Sequence, residues 1–132
     1  MSEPIESVHV LHEPGLYAVR SGSPSVYYID SRDPDKPRYL RACGNGLSIS
    51  SHMDDGWHDL VMLRLATNVN GKTVPLHVEW TLMVGAGHYF ETRRYGHPNG
   101  DVYWVVSRDA WEIEALERMP SPDDLTMPER GW

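Results

Sequence analysis

The chain has 132 residues, 40% of them hydrophobic, and a formal net charge of −7. That length fits one domain with a single core, and the composition excludes a wholly disordered chain. The acidic balance also argues against direct binding of nucleic acid, which needs a basic patch to neutralise phosphates, whereas Arg93 and Arg94 form the only adjacent basic pair.

The sequence predicts neither export nor membrane insertion. The single cysteine excludes an intramolecular disulfide. Residues 1–6 are acidic and lack an apolar run, and no segment approaches the ~20 apolar residues that a membrane helix requires. We therefore expect a cytoplasmic protein that does not bind membranes.

Short segments of alternating apolar and polar residues, separated by Gly, Pro, Asn and Asp, predict strands in the first half of the chain. The candidates are Val8–Leu11, Leu16–Arg20, Val26–Asp30, Arg38–Ala42 and Leu47–Ser50. His9 and His12 lie in the first of these segments or next to it. In an extended segment they would point to opposite faces, so we do not expect them to share a metal ion.

The second half predicts two hairpins. Leu60–Leu65 reads as a buried strand, and Asn70-Gly71 favours a type I′ turn before the next strand. That strand is predicted to run unbroken from Leu76 to Val84, with one apolar face formed by Leu76, Val78, Trp80, Leu82 and Val84. The second predicted hairpin joins His88–Arg94 to Val102–Val106.

Residues 110–118 fit two interpretations. Asp109 and Glu112 have the spacing of a helix capping box. Trp111, Ile113 and Ala115 instead alternate with glutamates, which is the period of a strand. We favour the strand.

Together these elements predict an all-β fold, a meander of about eight to ten short antiparallel strands forming a small barrel or sandwich. Residues 1–119 would form the single domain. Residues 120–132 would form an irregular, Pro-rich, acidic tail, anchored on the domain or on a neighbouring chain through Leu125, Met127 and Trp132. Because edge strands invite pairing, we also expect a homodimer.

The phrases Gly15-Leu16-Tyr17-Ala18-Val19-Arg20 and Ser25-Val26-Tyr27-Tyr28-Ile29-Asp30, with a later Asp55-Gly56-Trp57, carry a resemblance. They resemble the opening of small uncharacterised β-rich proteins of actinobacteria and their phages. The resemblance covers residues 15–30 and 55–57. It implies an all-β accessory protein, with a phage origin as one option, and it offers no catalytic residues to transfer.

One segment could hold a metal ion. His52, Asp54, Asp55 and His58 lie within eight residues of each other, and imidazole and carboxylate together suit a divalent cation. This cluster would support a metal- or histidine-dependent hydrolase. Its spacing matches no known ligand motif, and a polar loop with solvated histidines is the plainer interpretation. We therefore expect no cofactor.

A binding face is predicted from four residues at every second position, Tyr89, Glu91, Arg93 and Tyr95, which share one side of their strand. Mixed Tyr and Arg surfaces are typical of protein interfaces. The favoured hypothesis is a non-enzymatic protein-binding module, for instance a phage accessory factor that engages a host protein. The alternatives are the hydrolase above and a self-assembling structural protein.

Overall fold

The computed structural model describes residues 5–22, 25–42, 57–94 and 100–119. Within these ranges the fold is all-β, with ten strands and no helix. The strands are β1 (Ser7–His9), β2 (Leu16–Ser21), β3 (Val26–Asp30), β4 (Arg38–Ala42), β5 (His58–Val69), β6 (Lys72–Glu79), β7 (Thr81–Met83), β8 (Gly87–Arg94), β9 (Val102–Val106) and β10 (Ala110–Leu116). The all-β prediction is confirmed.

Eight strands form one antiparallel sheet. Seven of them follow the order β10-β2-β3-β4-β5-β8-β9, and the eighth, β6, pairs with the C-terminal half of β5. β1 and β7 form a separate two-stranded sheet. The described part of the large sheet ends at β10 and β9, which do not pair with each other. The arrangement is therefore an open sandwich, which decides between the two predicted architectures.

Both predicted hairpins are present. Asn70 (φ 51°) and Gly71 (φ 81°) have the positive φ values that a type I′ turn needs, and they join β5 to β6. β8 pairs with β9 in an unbroken register from Tyr89–Val106 to Arg93–Val102. The segment 110–118 is also a strand as far as Leu116, so the capping-box interpretation is wrong.

The unbroken strand predicted from Leu76 to Val84 is wrong. Trp80 adopts a left-handed backbone conformation (φ 57°) and ends β6, so β7 leaves for the other sheet. Its N–H donates to Leu63 O at 2.7 Å, and its carbonyl accepts from Val10 N–H at 2.8 Å. Trp80 therefore ties β5 to the N-terminal segment. Val78 and Val84 are exposed, so the predicted apolar face does not form.

The core lies on one side of the large sheet, closed by β1 and β7. Phe90 is at its centre, with its ring centroid 5.4 Å from that of Tyr27 and 5.0 Å from that of Tyr39. A second cluster, built on Tyr28 and Leu40, covers the opposite face of β2–β4. Most side chains of β2–β4 are therefore buried, on both faces of the sheet.

Candidate functional site

The structure places Tyr89, Glu91 and Arg93 on the outer face of β8, as their spacing predicts. Tyr95, the fourth residue predicted for this face, lies outside the described residues. The tail anchors Leu125, Met127 and Trp132 also lie outside them.

β9 adds an aromatic side chain that sequence reasoning did not assign to the site. The register sets Trp104 opposite Glu91 and Val102 opposite Arg93. Trp104 is 65% exposed, and its ring lies 6.3 Å from the ring of Tyr89 at an interplanar angle of 23°. An indole this exposed on an ordered strand contributes little to the fold.

β5 completes the surface with Arg64, which is directly opposite Tyr89. The Nε atom of Arg64 is buried and has no hydrogen-bond acceptor within the described parts of the chain. Buried polar atoms are nearly always paired, so a buried guanidinium donor without an acceptor needs an explanation. We call the set Arg64, Tyr89, Glu91, Arg93, Val102 and Trp104 the Trp104 face.

Hydrogen bonds hold Tyr89, Glu91 and Arg93 of the Trp104 face in place. The Tyr89 hydroxyl donates to Glu91 Oε1 at 2.8 Å, and Arg93 Nε donates to the carbonyl of Gly100 at 3.1 Å. Burial, and then the hydrogen bond to Glu91, raise the pKa of Tyr89, so its hydroxyl stays protonated. Tyr89, Glu91 and Arg93 are therefore held in fixed positions on this face.

The charges across this surface are mixed. Asp59 on β5 is opposite Arg93, and Glu79 on β6 is opposite Arg64. Neither carboxylate forms an ion pair within the described residues. The arrangement suits a partner with both charges and apolar groups better than a purely anionic ligand.

The predicted metal cluster is not assembled by the described residues. His58 is not in a solvated loop: it opens β5, is fully buried, and lies between Tyr39 of β4 and Arg94 of β8 in the register. His52, Asp54 and Asp55 lie outside the described residues. Among those described, no three His, Cys, Asp or Glu side chains are grouped to hold a metal ion.

His9 and His12 do not point to opposite faces, so that expectation is wrong. A turn follows β1, and the two imidazole rings stack with centroids 3.6 Å apart and planes 8° apart. The His12 backbone N–H donates to His9 Nδ1 at 3.2 Å. The close stack comes from a local turn, which the extended interpretation did not include.

Sequence reasoning missed a charge cluster at the ends of β3 and β4. Asp30, whose side chain is 7% exposed, accepts hydrogen bonds from Arg32 at 3.0 Å and from Arg38 at 2.7 Å. Burial alone would raise the pKa of Asp30, but the two arginine hydrogen bonds outweigh it and lower the pKa to about 2. Arg38 also stacks on Trp57, with Cζ 4.2 Å from the ring centroid.

This cluster is unsuited to general-base catalysis. Both carboxylate oxygens of Asp30 accept hydrogen bonds from arginine, and the low pKa keeps the group ionised and weakly basic. A signal was present in the sequence, because Asp30 and Arg38 flank a seven-residue loop as hairpin partners do.

A polar cleft of about 390 Å³ opens between the tip of the β5–β6 hairpin and the segment that follows β9. Its polar lining side chains are Thr67, Asn68, Thr73, Ser107, Arg108 and Asp109. Among the described residues, no histidine or cysteine lines it. Its described lining therefore offers hydrogen-bonding groups.

No helix in the described ranges is long and apolar enough to cross a membrane. Comparison of the chain with protein-family models, with curated proteins and with solved structures finds no match.

Proposed function

We propose that the chain is a non-enzymatic protein-binding module and that the Trp104 face is its contact surface. The observation that carries the proposal is Trp104 itself, which is 65% exposed in the middle of an ordered strand and stacked on Tyr89. Following the resemblance to phage accessory proteins, the partner class we propose is a host protein.

The composition of the face supports this proposal. Trp, Tyr and Arg are the residue types that dominate binding energy in protein interfaces, and all three meet here across β5, β8 and β9. Arg64, which is half-buried, places a guanidinium group directly opposite Tyr89 on this surface. Tyr89 is already held by Glu91, so little side-chain entropy is lost when a partner docks.

The test compares two exposed tryptophans. Trp104 on β9 and Trp111 on β10 are 65% and 60% exposed, but only Trp104 belongs to the proposed site. Partners are purified from cell extract with three tagged proteins: the native chain, Trp104→Ala and Trp111→Ala. The partner that is recovered is then produced in pure form. Isothermal titration of each variant gives its dissociation constant.

We expect Trp104→Ala to weaken binding by about thirtyfold, the loss typical of a hot-spot tryptophan, and Trp111→Ala to leave it unchanged. Arg64→Gln should weaken binding less strongly. Equal binding by native chain and Trp104→Ala would refute the proposed surface, as would equal losses for both tryptophan variants.

A further inference from the structure

The outer face of the large sheet is one continuous surface from β10 to β9. Directly opposite residues in a sheet point to the same side, and one row of such residues crosses seven strands. The row is Leu116, Leu16, Asp30, Arg38, Asp59, Arg93 and Val102. Tyr28, Leu40 and Trp104 are each two residues from a member of this row, so they share its side. The apolar cluster of Tyr28 and Leu40 therefore lies on the same surface as the Trp104 face.

The two halves of this surface differ in exposure. Tyr28 and Leu40 are buried, whereas Val102 and Trp104 are 43% and 65% exposed. The exposed half also carries the stacked rings of Tyr89 and Trp104. Paired aromatic rings on a surface are the kind of site on which Pro-rich segments dock.

The chain turns onto this surface after its last strand. β10 ends at Leu116, at an edge of the sheet. Three residues later, Met119 packs against the cluster of Tyr28 and Leu40. The chain has therefore turned inwards over the outer face of β2–β4. A segment that continues in this direction crosses β5 and β8 and arrives at β9.

The tail that follows Met119 has the composition of a docking segment. Residues 120–132 contain three prolines and three large apolar residues, Leu125, Met127 and Trp132. Pro-rich segments favour the polyproline II conformation, so they lose little conformational entropy when they dock on aromatic rings.

The length of the tail matches the distance to be crossed. Neighbouring strands are about 4.8 Å apart, which puts Trp104 on β9 about 20 Å from Tyr28 on β3. A polyproline II segment advances about 3.1 Å per residue, so Leu125 and Met127 can reach about 19 and 25 Å from Met119. These two side chains therefore come level with Trp104.

We propose that residues 120–132 dock on the Trp104 face of their own chain, with Leu125 and Met127 against the rings of Trp104 and Tyr89. This contact removes the exposed indole from water, which is its main source of stability. A short tether gives the tail an effective concentration in the millimolar range. At micromolar protein concentration the tail of the same chain therefore outcompetes the tail of a second copy.

The charges on the path are compatible with an acidic tail and contribute less. Asp124 can reach about 16 Å from Met119, which is close to the distance of about 14 Å between β3 and Arg93 on β8. Arg93 forms no ion pair within the described residues. Its cross-strand neighbour Asp59 offsets part of the attraction, so we expect the apolar contacts to dominate.

A docked tail would compete with a protein partner for the same surface. This consequence rests on the proposed function, whereas the contact between tail and sheet does not. Only chains with an open face bind the partner, so the apparent dissociation constant rises as the docked fraction grows. If about two thirds of the chains are docked, the native chain binds about threefold more weakly than a chain whose tail cannot dock.

The experiment is ¹H–¹⁵N NMR of the full chain, in which each of the five tryptophans gives one indole N–H signal. Trp→Phe replacements assign the signals. The double variant Leu125→Ser/Met127→Ser should shift the Trp104 signal. It should leave the signal of Trp111 in place, because Trp111 is also exposed but lies on β10, at the other end of the sheet.

A matched control and a reciprocal variant complete the experiment. Val69→Ser/Val74→Ser makes the same kind of change at two exposed positions of the β5–β6 hairpin and should leave the Trp104 signal unchanged. Trp104→Ala should in turn shift the backbone amide signals of Leu125 and Met127. None of these shifts should depend on protein concentration.

Three results overturn the proposal: a Trp104 signal that does not respond to the tail variant, an equal shift at Trp111, or a shift that appears only at high protein concentration. The last result would assign the contact to the tail of a second copy.

Titration with the partner separates this inference from the proposed function. The double tail variant should bind the partner about threefold more tightly than the native chain. A partner that binds through Trp104, in a chain whose Trp104 signal ignores the tail variant, defeats this inference and leaves the proposed function standing. A tail contact in a chain that binds no partner does the reverse.

Discussion

The indole ring of Trp104 lies 6.3 Å from the phenol ring of Tyr89, across the pairing of two strands. The contact is diagonal, since Trp104 is directly opposite Glu91 and Tyr89 is opposite Val106. The Tyr89 hydroxyl is in turn held by Glu91. The exposed tryptophan therefore rests on a second ring whose position is already fixed.

Replacing Trp104 should separate binding from folding. We expect Trp104→Ala to change the free energy of unfolding by no more than about 0.5 kcal/mol, because the side chain is 65% exposed. Phe90→Ala, at a fully buried ring, should cost about 3–5 kcal/mol. Urea unfolding followed by circular dichroism measures both. A large loss for Trp104→Ala would mean that any binding defect reflects unfolding.

The sequence predicted the parts of the fold whose signals are local. Asn70-Gly71 specifies its hairpin because both residues accept positive φ. The alternation of residues 111–115 was enough to predict β10. The break at Trp80 could not be foreseen, because tryptophan seldom adopts positive φ and the conformation is held by hydrogen bonds to Leu63 and Val10, which are distant in sequence.

The residues of the candidate site also differ in whether a local sequence pattern could identify them. Tyr89, Glu91 and Arg93 share a face by simple strand period. Arg64 and Trp104 join them only through the register of neighbouring strands, which bulges and turn lengths decide. One such bulge lies between Leu60 and Met62, and no local pattern in the sequence marks it.

His88 should make the protein less stable in mild acid. It is fully buried, and desolvation lowers its pKa to about 4, while the unfolded chain titrates near 6.5. The unfolded state therefore binds a proton first as the pH falls. The free energy of unfolding should drop on the order of 3 kcal/mol as the pH falls from 6.5 to 4. Above pH 6.5, His88 should make no pH-dependent contribution to it.

The measurement is urea unfolding at half-unit pH steps. His88→Gln should flatten the slope between pH 6.5 and 4, since glutamine can still accept the Met83 N–H but cannot titrate. His77→Gln makes the same change at an exposed position and should retain the native slope. An unchanged slope in His88→Gln would contradict the assignment.

Asp30 should affect the stability of the fold at a lower pH than His88 does. Its folded pKa is about 2, below the unfolded value near 3.9, so its ionised form stabilises the fold above about pH 4. That contribution, on the order of 2 kcal/mol, should disappear as the pH falls from 4 to 2. Asp30→Asn should lose it already at pH 7, whereas Asp35→Asn, at an exposed position, should not. Equal unfolding free energies for the two variants at pH 7 would contradict this role.

Two glycines should respond to alanine for different reasons. A Cβ at Gly87 would lie 3.1 Å from Ser107 O and 3.4 Å from Ala66 O, and both are backbone atoms that cannot rotate away. We expect Gly87→Ala to cost about 1–3 kcal/mol of global stability through overpacking between β5 and the segment after β9.

Gly71 has no neighbour within 4 Å but a φ of 81°, so Gly71→Ala should cost about 1 kcal/mol through backbone strain alone. Because the β5–β6 tip is exposed, that loss should appear in hydrogen exchange as local opening of residues 67–74. Faster hydrogen exchange throughout the core of Gly71→Ala would contradict a local strain effect. Faster exchange confined to the hairpin tip of Gly87→Ala would contradict a global packing effect.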